Sequence, residues 1–521
     1  MTDALASLAP AVDRRLARIA EERLIPRMWG HDPAVWHGTA DTPELADRLG
    51  WLDLPDTMRA HLADLANFAD EVRSEFSRVV LLGMGGSSLA PEVLWRTFGR
   101  RDDYPRFDML DSTHPDAVAE IELGGDLDHT LFIVASKSGT TVETVSFYRY
   151  FWERVGRRGD RFAAVTDPGS ALALLGDERG FRRVWLNPPE VGGRYSALSL
   201  FGLVPAALIG IDPAQLLDAA AGIAGGASVA EDNPAAYLGA VLGEAALAGR
   251  DKLTLLLSPR LQAFGLWAEQ LVAESTGKEG KGILPVPEAP GATRSAVDDR
   301  LVVSLAFADE PEAAAVDADA AALGRRDVPV LPYRLAEPAD VAAEFFRWEF
   351  ATAVAGAVLQ INPFDQPNVA ESKANTKRVL ASGEEIAPPE RLRRREIADF
   401  VSGVVEGDYV AVLGYLPPGD AAEAEMARTA KALADRLPAA VTASYGPRYL
   451  HSTGQLHKGG PQRGHFVHLL DRPAHDLAIP GESYGFGRLI AAQAHGDRQA
   501  VEGRGRRVVR VADVDELLEL L

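Results

Sequence analysis

The run Leu131-Phe132-Ile133-Val134-Ala135 stops abruptly at Ser136-Lys137-Ser138-Gly139-Thr140-Thr141, and helical spacing of Val145, Phe147 and Tyr150 begins directly after it. An unbroken apolar run this short, bounded by small polar residues, reads as a strand of a buried parallel sheet. The hydroxyl-rich segment is then a strand-to-helix turn. Backbone N–H groups and the positive end of a helix dipole meet at such a turn, so an anion is its natural ligand. Four hydroxyls without a Walker-type GxxxxGK favour a monoester phosphate over a nucleotide. Helix capping by Ser and Thr accounts for the same hydroxyls equally well.

The same grammar recurs along the chain. Arg78 to Leu82 reads as a strand that runs into Gly83-Met84-Gly85-Gly86-Ser87-Ser88 and then a helix. The pattern is GxGGSS, not GxGxxG, and only Asp108 and Asp111 stand near the place of a ribose-binding acid, so a nicotinamide cofactor is disfavoured. Strands follow at Phe162 to Thr166 and Val184 to Leu186. The loop Val191-Gly192-Gly193-Arg194-Tyr195-Ser196 leads into an apolar helix. Further strands read at Lys252 to Ser258, Leu301 to Phe307 and Val328 to Leu335, with helices at Arg260 to Glu274 and Val341 to Leu359. Strands alternating with helices in this way imply doubly wound parallel sheets. After a polar stretch from Ser382 to Arg395, an α/β pattern returns with strands at Tyr409, Ala440, His465 and Arg507. Gly324-Arg325-Arg326 and Gly505-Arg506-Arg507 both lead into a β-branched strand, which suggests a partial internal duplication.

At 521 residues the chain is too long for one ordinary core. The expected division is a helical segment over 1–74, sheet units over 75–232 and 233–381, and a C-terminal α/β extension over 396–521. Trp29, Trp36 and Trp51 read as packing residues, and the acids of Asp309 to Leu323 as a solvated helix face. The formal charge of -21 argues against nucleic acid or anionic membrane as partner. A small basic pocket for a phosphorylated substrate remains compatible with it. The absence of cysteine removes thiolate chemistry and fits the cytoplasm. No apolar run approaches the length of a spanning helix, and no signal core opens the chain.

Five motifs in order carry a resemblance. GMGGSSLAPEV from Gly83, SKSGTTVET from Ser136, VGGRYS from Val191, QLVAESTGK from Gln270 and NPFDQPNVAESK from Asn362 together resemble the phosphoglucose isomerase family, built from two SIS (sugar isomerase) domains. The resemblance therefore implies an α/β fold of two SIS-type doubly wound parallel-sheet domains, here with the C-terminal extension added. It also implies an aldose-ketose isomerase that interconverts glucose 6-phosphate and fructose 6-phosphate without metal or organic cofactor, as a possible homodimer. A HSTGQLHKGGP string late in the chain is similar to the isomerase half of bacterial transaldolase–phosphoglucose isomerase fusions. Only about 75 residues precede the first motif, too few for a barrel of about 250 residues, so isomerase activity alone is expected.

Carried over by motif, Ser136, Ser138, Thr140 and Thr141 would hold the substrate phosphate with Lys137 nearby. Gly86, Ser87, Gly193, Gln270 and Gln366 would line the sugar. Glu274 would be the base, Arg194 the cation beside the enediolate, and Lys373 a partner in ring opening. The chemistry asks for the same types. A carboxylate held out of bulk water can move a proton between C2 and C1, and fixed positive charge stabilises the developing enediolate. The histidine departs from the family pattern. Its usual LHSxGQ slot soon after the glutamate, Ile283 to Arg300, contains no histidine, whereas Leu450-His451-Ser452-Thr453-Gly454-Gln455 follows only after Lys373. His451 is the expected ring-opening residue, with His457 second. Two rival readings stand beside this one: a dual phosphoglucose and phosphomannose isomerase, and a non-catalytic sugar-phosphate-binding regulator.

Overall fold

Every apolar run expected to be a strand pairs only with parallel neighbours, and the strands form three separate sheets. The computed structural model describes residues 5, 7–228, 232–288, 291–292, 297–383 and 385–521; expectations for residues 1–4 and 6, and for parts of 283–300 and 382–395, fall outside them. The first sheet has β1 (Arg78–Leu82), β2 (Arg106–Leu110), β3 (Thr130–Ala135), β4 (Phe162–Thr166) and β5 (Arg183–Leu186) in the order β2-β1-β3-β4-β5. The second has β6 (Lys252–Leu257), β7 (Leu284–Glu288), β8 (Arg300–Phe307) and β9 (Val330–Leu335) in the order β7-β6-β8-β9. The third has β10 (Tyr409–Tyr415), β11 (Ala440–Tyr445), β12 (Gly464–Leu470) and β13 (Arg507–Val511) in the order β11-β10-β12-β13. The chain is thus α/β, and its C-terminal part repeats the strand order of the second sheet. The two Gly-Arg-Arg turns each precede the last strand of their sheets, β9 and β13.

Two strands are not among those expected, β2 and β7, and β7 runs against its own sequence. Pro285 and Pro287 remove two N–H donors from β7, which ordinarily argues against a strand. The structure reconciles them because β7 is an edge: the Leu284 N–H donates to the Asp251 carbonyl at 2.8 Å, so the alternate residues Pro285 and Pro287 turn away from β6.

The core begins with the N-terminal helices. Val12, Ile25 and Trp51 share one buried cluster with Val79 of β1, Leu253 of β6 and Phe346 of the Asp340–Leu359 helix. The tryptophans pack as expected: Trp36 Nε1 donates to the Ala353 carbonyl at 2.8 Å, and Trp51 lies on Tyr195 with ring centroids 5.2 Å apart. The third sheet is joined on two sides. Leu284 of β7 packs with Tyr409 and Ala440, while Phe147 shares a cluster with Phe486 and Leu489 of the Phe486–Glu502 helix. Among the described residues no helix is long and apolar enough to cross a membrane.

Candidate active site

In the first sheet the strand order reverses direction between β1 and β3, and crevices at such a point receive ligands in open α/β sheets. The turns after these two strands, Gly83 to Ser88 and Ser136 to Thr141, therefore flank one crevice. In the second turn Ser136 Oγ accepts from the Gly139 N–H at 3.1 Å and lies 3.1 Å from Thr141 Oγ1. Ser138 Oγ and Thr140 Oγ1 lie 2.8 Å apart, and both residues are exposed. Thr141 is the N-cap of the Val142–Arg154 helix yet makes no side-chain cap bond, so capping does not account for its hydroxyl. The Lys137 ammonium is bound to the Asp167 carboxylate and to the Pro189 carbonyl at 2.9 Å.

Glu274 lies near the C-terminal end of the Gln262–Thr276 helix and is 4% exposed. One turn earlier, Gln270 Nε2 reaches Glu274 Oε2 at 3.3 Å. Arg194 Nη1 stands 3.8 Å from the same oxygen. The arginine is clamped from three directions: Nε donates to Ser275 Oγ at 2.9 Å, and Nη2 to the Pro363 and Asp365 carbonyls at 2.8 Å each. Its loop is pressed against the first crevice, because a Cβ on Gly86 would lie 2.0 Å from the Gly193 carbonyl oxygen. Lys278 ties the same 362–365 loop from below, donating to the Asn362 carbonyl and to Asp365 Oδ1 at 2.7 and 2.6 Å. Burial, aided by the Arg194 charge and opposed by Asp365, pushes the Lys278 ammonium down to about 8. Gln366 is exposed on this loop.

His451 arrives from the third sheet, on the Arg448–His451 turn after β11. Its carbonyl accepts from Gln270 Nε2 at 2.6 Å, and its Nε2 lies 3.1 Å from Glu143 Oε1. Gly85, at φ +56°, makes room: a Cβ there would sit 2.9 Å from Gln270 Nε2 and 3.0 Å from His451 Cβ. Several contacts strap this turn down. Arg448 pairs with Glu92 and, at 3.1 Å, with Asp111; Ser452 donates to Glu269 at 3.1 Å; Gln455 donates to the Gly277 carbonyl at 3.0 Å. Burial pushes the Glu269 carboxyl up to about 7 against its Ser452 and Ser444 hydrogen bonds. Burial alone would also raise Glu143, but the facing His451 charge and hydrogen bond, with Lys373 further off, hold it below the usual carboxylate range. Lys373 itself is exposed on the Val369–Ser382 helix. His457 is elsewhere, buried in the third unit with Nδ1 3.0 Å from the Tyr409 hydroxyl, and burial pushes its ring far down.

The family model described as phosphoglucose isomerase matches residues 56–282. Among curated proteins, a glucose-6-phosphate isomerase of Parabacteroides distasonis is 35% identical over 265 residues, 46% of this chain and 58% of that protein. One of Thermosynechococcus vestitus is 33% identical over 288 residues, 51% of each chain. Over residues 56–282 the chain is similar to the phosphoglucose isomerase family. It spans a little over half the length of these two relatives; a third, from Citrifermentans bemidjiense, is 29% identical over 70% of this chain and 78% of its own. Among solved structures, a hypothetical protein of Thermus thermophilus superposes with a TM-score of 0.62 at 25% identity, over 72% of this chain and 99% of its own. A glucose-6-phosphate isomerase of Chlamydia trachomatis shares the fold, with a TM-score of 0.59 at 20% identity over 72% of this chain and 86% of that one.

The phosphoglucose isomerase match includes the two crevice turns, Arg194, Gln270 and Glu274, and ends before Gln366, Lys373 and His451. Two residues beside them escaped sequence reasoning. Glu143 lies inside SKSGTTVET, where its place in the first helical turn was the available signal. Gln493, whose Nε2 donates to Glu143 Oε1 at 2.7 Å, has no local signal at all.

Proposed function

We propose that this chain interconverts glucose 6-phosphate and fructose 6-phosphate. The observation that carries the reading is the convergence of a buried Glu274, with Arg194 and Gln270 beside it, on a histidine–carboxylate pair whose histidine comes from the third sheet and whose carboxylate comes from the first. The glucose-6-phosphate isomerase names of its relatives support the same substrates.

In this reading the exposed Ser138 and Thr140 hydroxyls, with the turn's backbone N–H groups, take the phosphate. With its ammonium held by Asp167, Lys137 contributes charge near the turn and no direct donor. His451, held by Glu143, and Lys373 exchange protons with the ring oxygen and the anomeric hydroxyl, which opens the sugar. Glu274 takes the C2 proton of the open aldose while the C1 carbonyl becomes the enediolate. The Arg194 guanidinium stabilises that negative charge. Glu274 then returns the proton to C1 while the O2 hydroxyl proton passes to O1, which leaves a ketone at C2 and a hydroxyl at C1. Gln270 Oε1 is buried without a partner among the described residues, which suits a sugar hydroxyl as donor. Because His451 reaches Glu143 within one chain, a second copy is not needed to complete this arrangement. The shared strand order of the second and third sheets further supports the third as a partial duplication that retained the histidine.

The test supplies fructose 6-phosphate and couples product to glucose-6-phosphate dehydrogenase. Wild type is expected to turn over, and Glu274→Gln to lose roughly 100- to 10,000-fold in kcat, the usual worth of a general base. No turnover by a folded wild type overturns the activity; normal turnover by Glu274→Gln overturns the base.

A further inference from the structure

The third sheet contains a cavity that the isomerase chemistry does not use. Its strand order reverses between β10 and β12, as that of the first sheet does between β1 and β3. At the carboxyl ends of β10 and β12, where Tyr415 and Leu470 stand, a cavity of about 360 Å³ opens between the sheet, the Phe486–Glu502 helix and the segment around Pro388. Small-molecule sites begin at about this volume. Ile386, Leu470 and Ile490 give it apolar walls.

Its polar groups are mainly cationic, in a chain whose net charge is -21. Arg472, Arg498 and Arg510 line it against two acids, and both acids are engaged: Asp471 lies 3.2 Å from His114 Nε2, and Asp476 accepts the Gly487 N–H at 2.6 Å. Glu502 stands 3.6 Å from Arg498 Nη1 at the rim, and Glu390 acts on Arg510 from outside. Burial, with the Arg498 charge second, presses the Arg510 guanidinium down, and its Nη2 donates to the Ala387 carbonyl at 2.7 Å. Two buried nitrogens in the lining have no partner among the described residues, Arg498 Nε and His468 Nε2. His468 is 1% exposed, and burial lowers its ring to about 4, so it is neutral near pH 7.

We propose that this cavity is a second ligand site, for a small organic anion whose phosphate or carboxylate meets Arg498 and Arg510 and whose body fills the apolar wall. The site shares the Phe486–Glu502 helix with the candidate active site, since Gln493 of that helix contacts Glu143. It is nevertheless independent of it in composition.

Calorimetric titration of the full chain with phenyl phosphate, benzoate and inorganic phosphate tests the site. The background is a Ser138→Ala/Thr140→Ala variant, which disables the phosphate turn of the first sheet. One equivalent of phenyl phosphate or benzoate should bind, the stronger of the two identifying the head group, and inorganic phosphate at least tenfold more weakly. Arg498→Gln/Arg510→Gln should weaken binding at least tenfold. Ala491→Trp, on a partly exposed helix position that lines the cavity, should do the same by filling it without touching the charges. The proposal is overturned if neither organic anion binds, if Ala491→Trp binds as the background does, or if inorganic phosphate binds equally well. The readout is binding, so a chain without isomerase turnover leaves the result interpretable.

Discussion

Replacing Glu143 by Gln removes one negative charge and almost no volume, which isolates the electrostatic part of its contact with His451. Glu143 Oε1 is shared by His451 Nε2 at 3.1 Å and Gln493 Nε2 at 2.7 Å, so a glutamine carbonyl in the same place remains an acceptor for both. What disappears is the difference between a charge-assisted and a neutral buried hydrogen bond, about 1 to 2 kcal/mol. At about 1.4 kcal/mol per factor of ten, kcat should fall roughly 5- to 30-fold if the pair acts in turnover. The coupled fructose 6-phosphate assay measures this directly, with circular dichroism to verify the fold. A kcat within twofold of wild type would refute the role given to the pair. The same variant carries a pH signature. Because the Glu143 carboxyl is held below its ordinary value of 4.5, it contributes stability above that pH that is lost as pH falls through the folded value. The Tm gap between wild type and Glu143→Gln should therefore be widest near neutrality and close in acid; a gap that grows in acid would contradict the sign.

Gly86→Ala places a Cβ 2.0 Å from the Gly193 carbonyl oxygen, so the Arg194 loop must move; we expect about 1 to 3 kcal/mol of destabilisation and at least a tenfold loss in kcat/KM, and unchanged kinetics would show that the loop is not a positioning element. Ser138→Ala/Thr140→Ala should raise KM about tenfold with little change in kcat, since phosphate contacts serve ground and transition states alike; a selective kcat loss would place these hydroxyls in the chemistry instead. Between its ordinary value of 4.5 and about 7, Glu269 holds a proton in the folded state that the unfolded chain releases, so its contribution to stability falls as pH rises through that window and stays flat above it. Glu269→Gln should accordingly gain up to about 3 kcal/mol more at pH 8 than at pH 5, measured by urea unfolding; equal gains at both would sink the argument.

Much of the fold was legible because the signals are local. Short apolar runs ending in glycine or hydroxyl turns, followed by helical spacing, place most of the parallel strands without reference to the rest of the chain; β2 and β7 are missed, β7 because the edge that tolerates Pro285 and Pro287 is a property of the sheet. The same holds for the motif residues Ser138, Arg194 and Glu274, whose neighbours in sequence shape their own turns and helix ends. What the tertiary structure alone decided is pairing over distance. His451 meets Glu143 across 308 residues, and Gln493 meets it across 350. No periodicity encodes such contacts; they follow from how the third sheet packs its β11 turn and its Phe486–Glu502 helix against the carboxyl ends of the first. The partner of Lys137 is of the same kind, because Asp167 is brought alongside only when β4 pairs with β3. Sequence could name the chemically able residues. Which of them face one another is set by side-chain burial among three sheets, where an unpaired charge is costly enough to dictate the geometry.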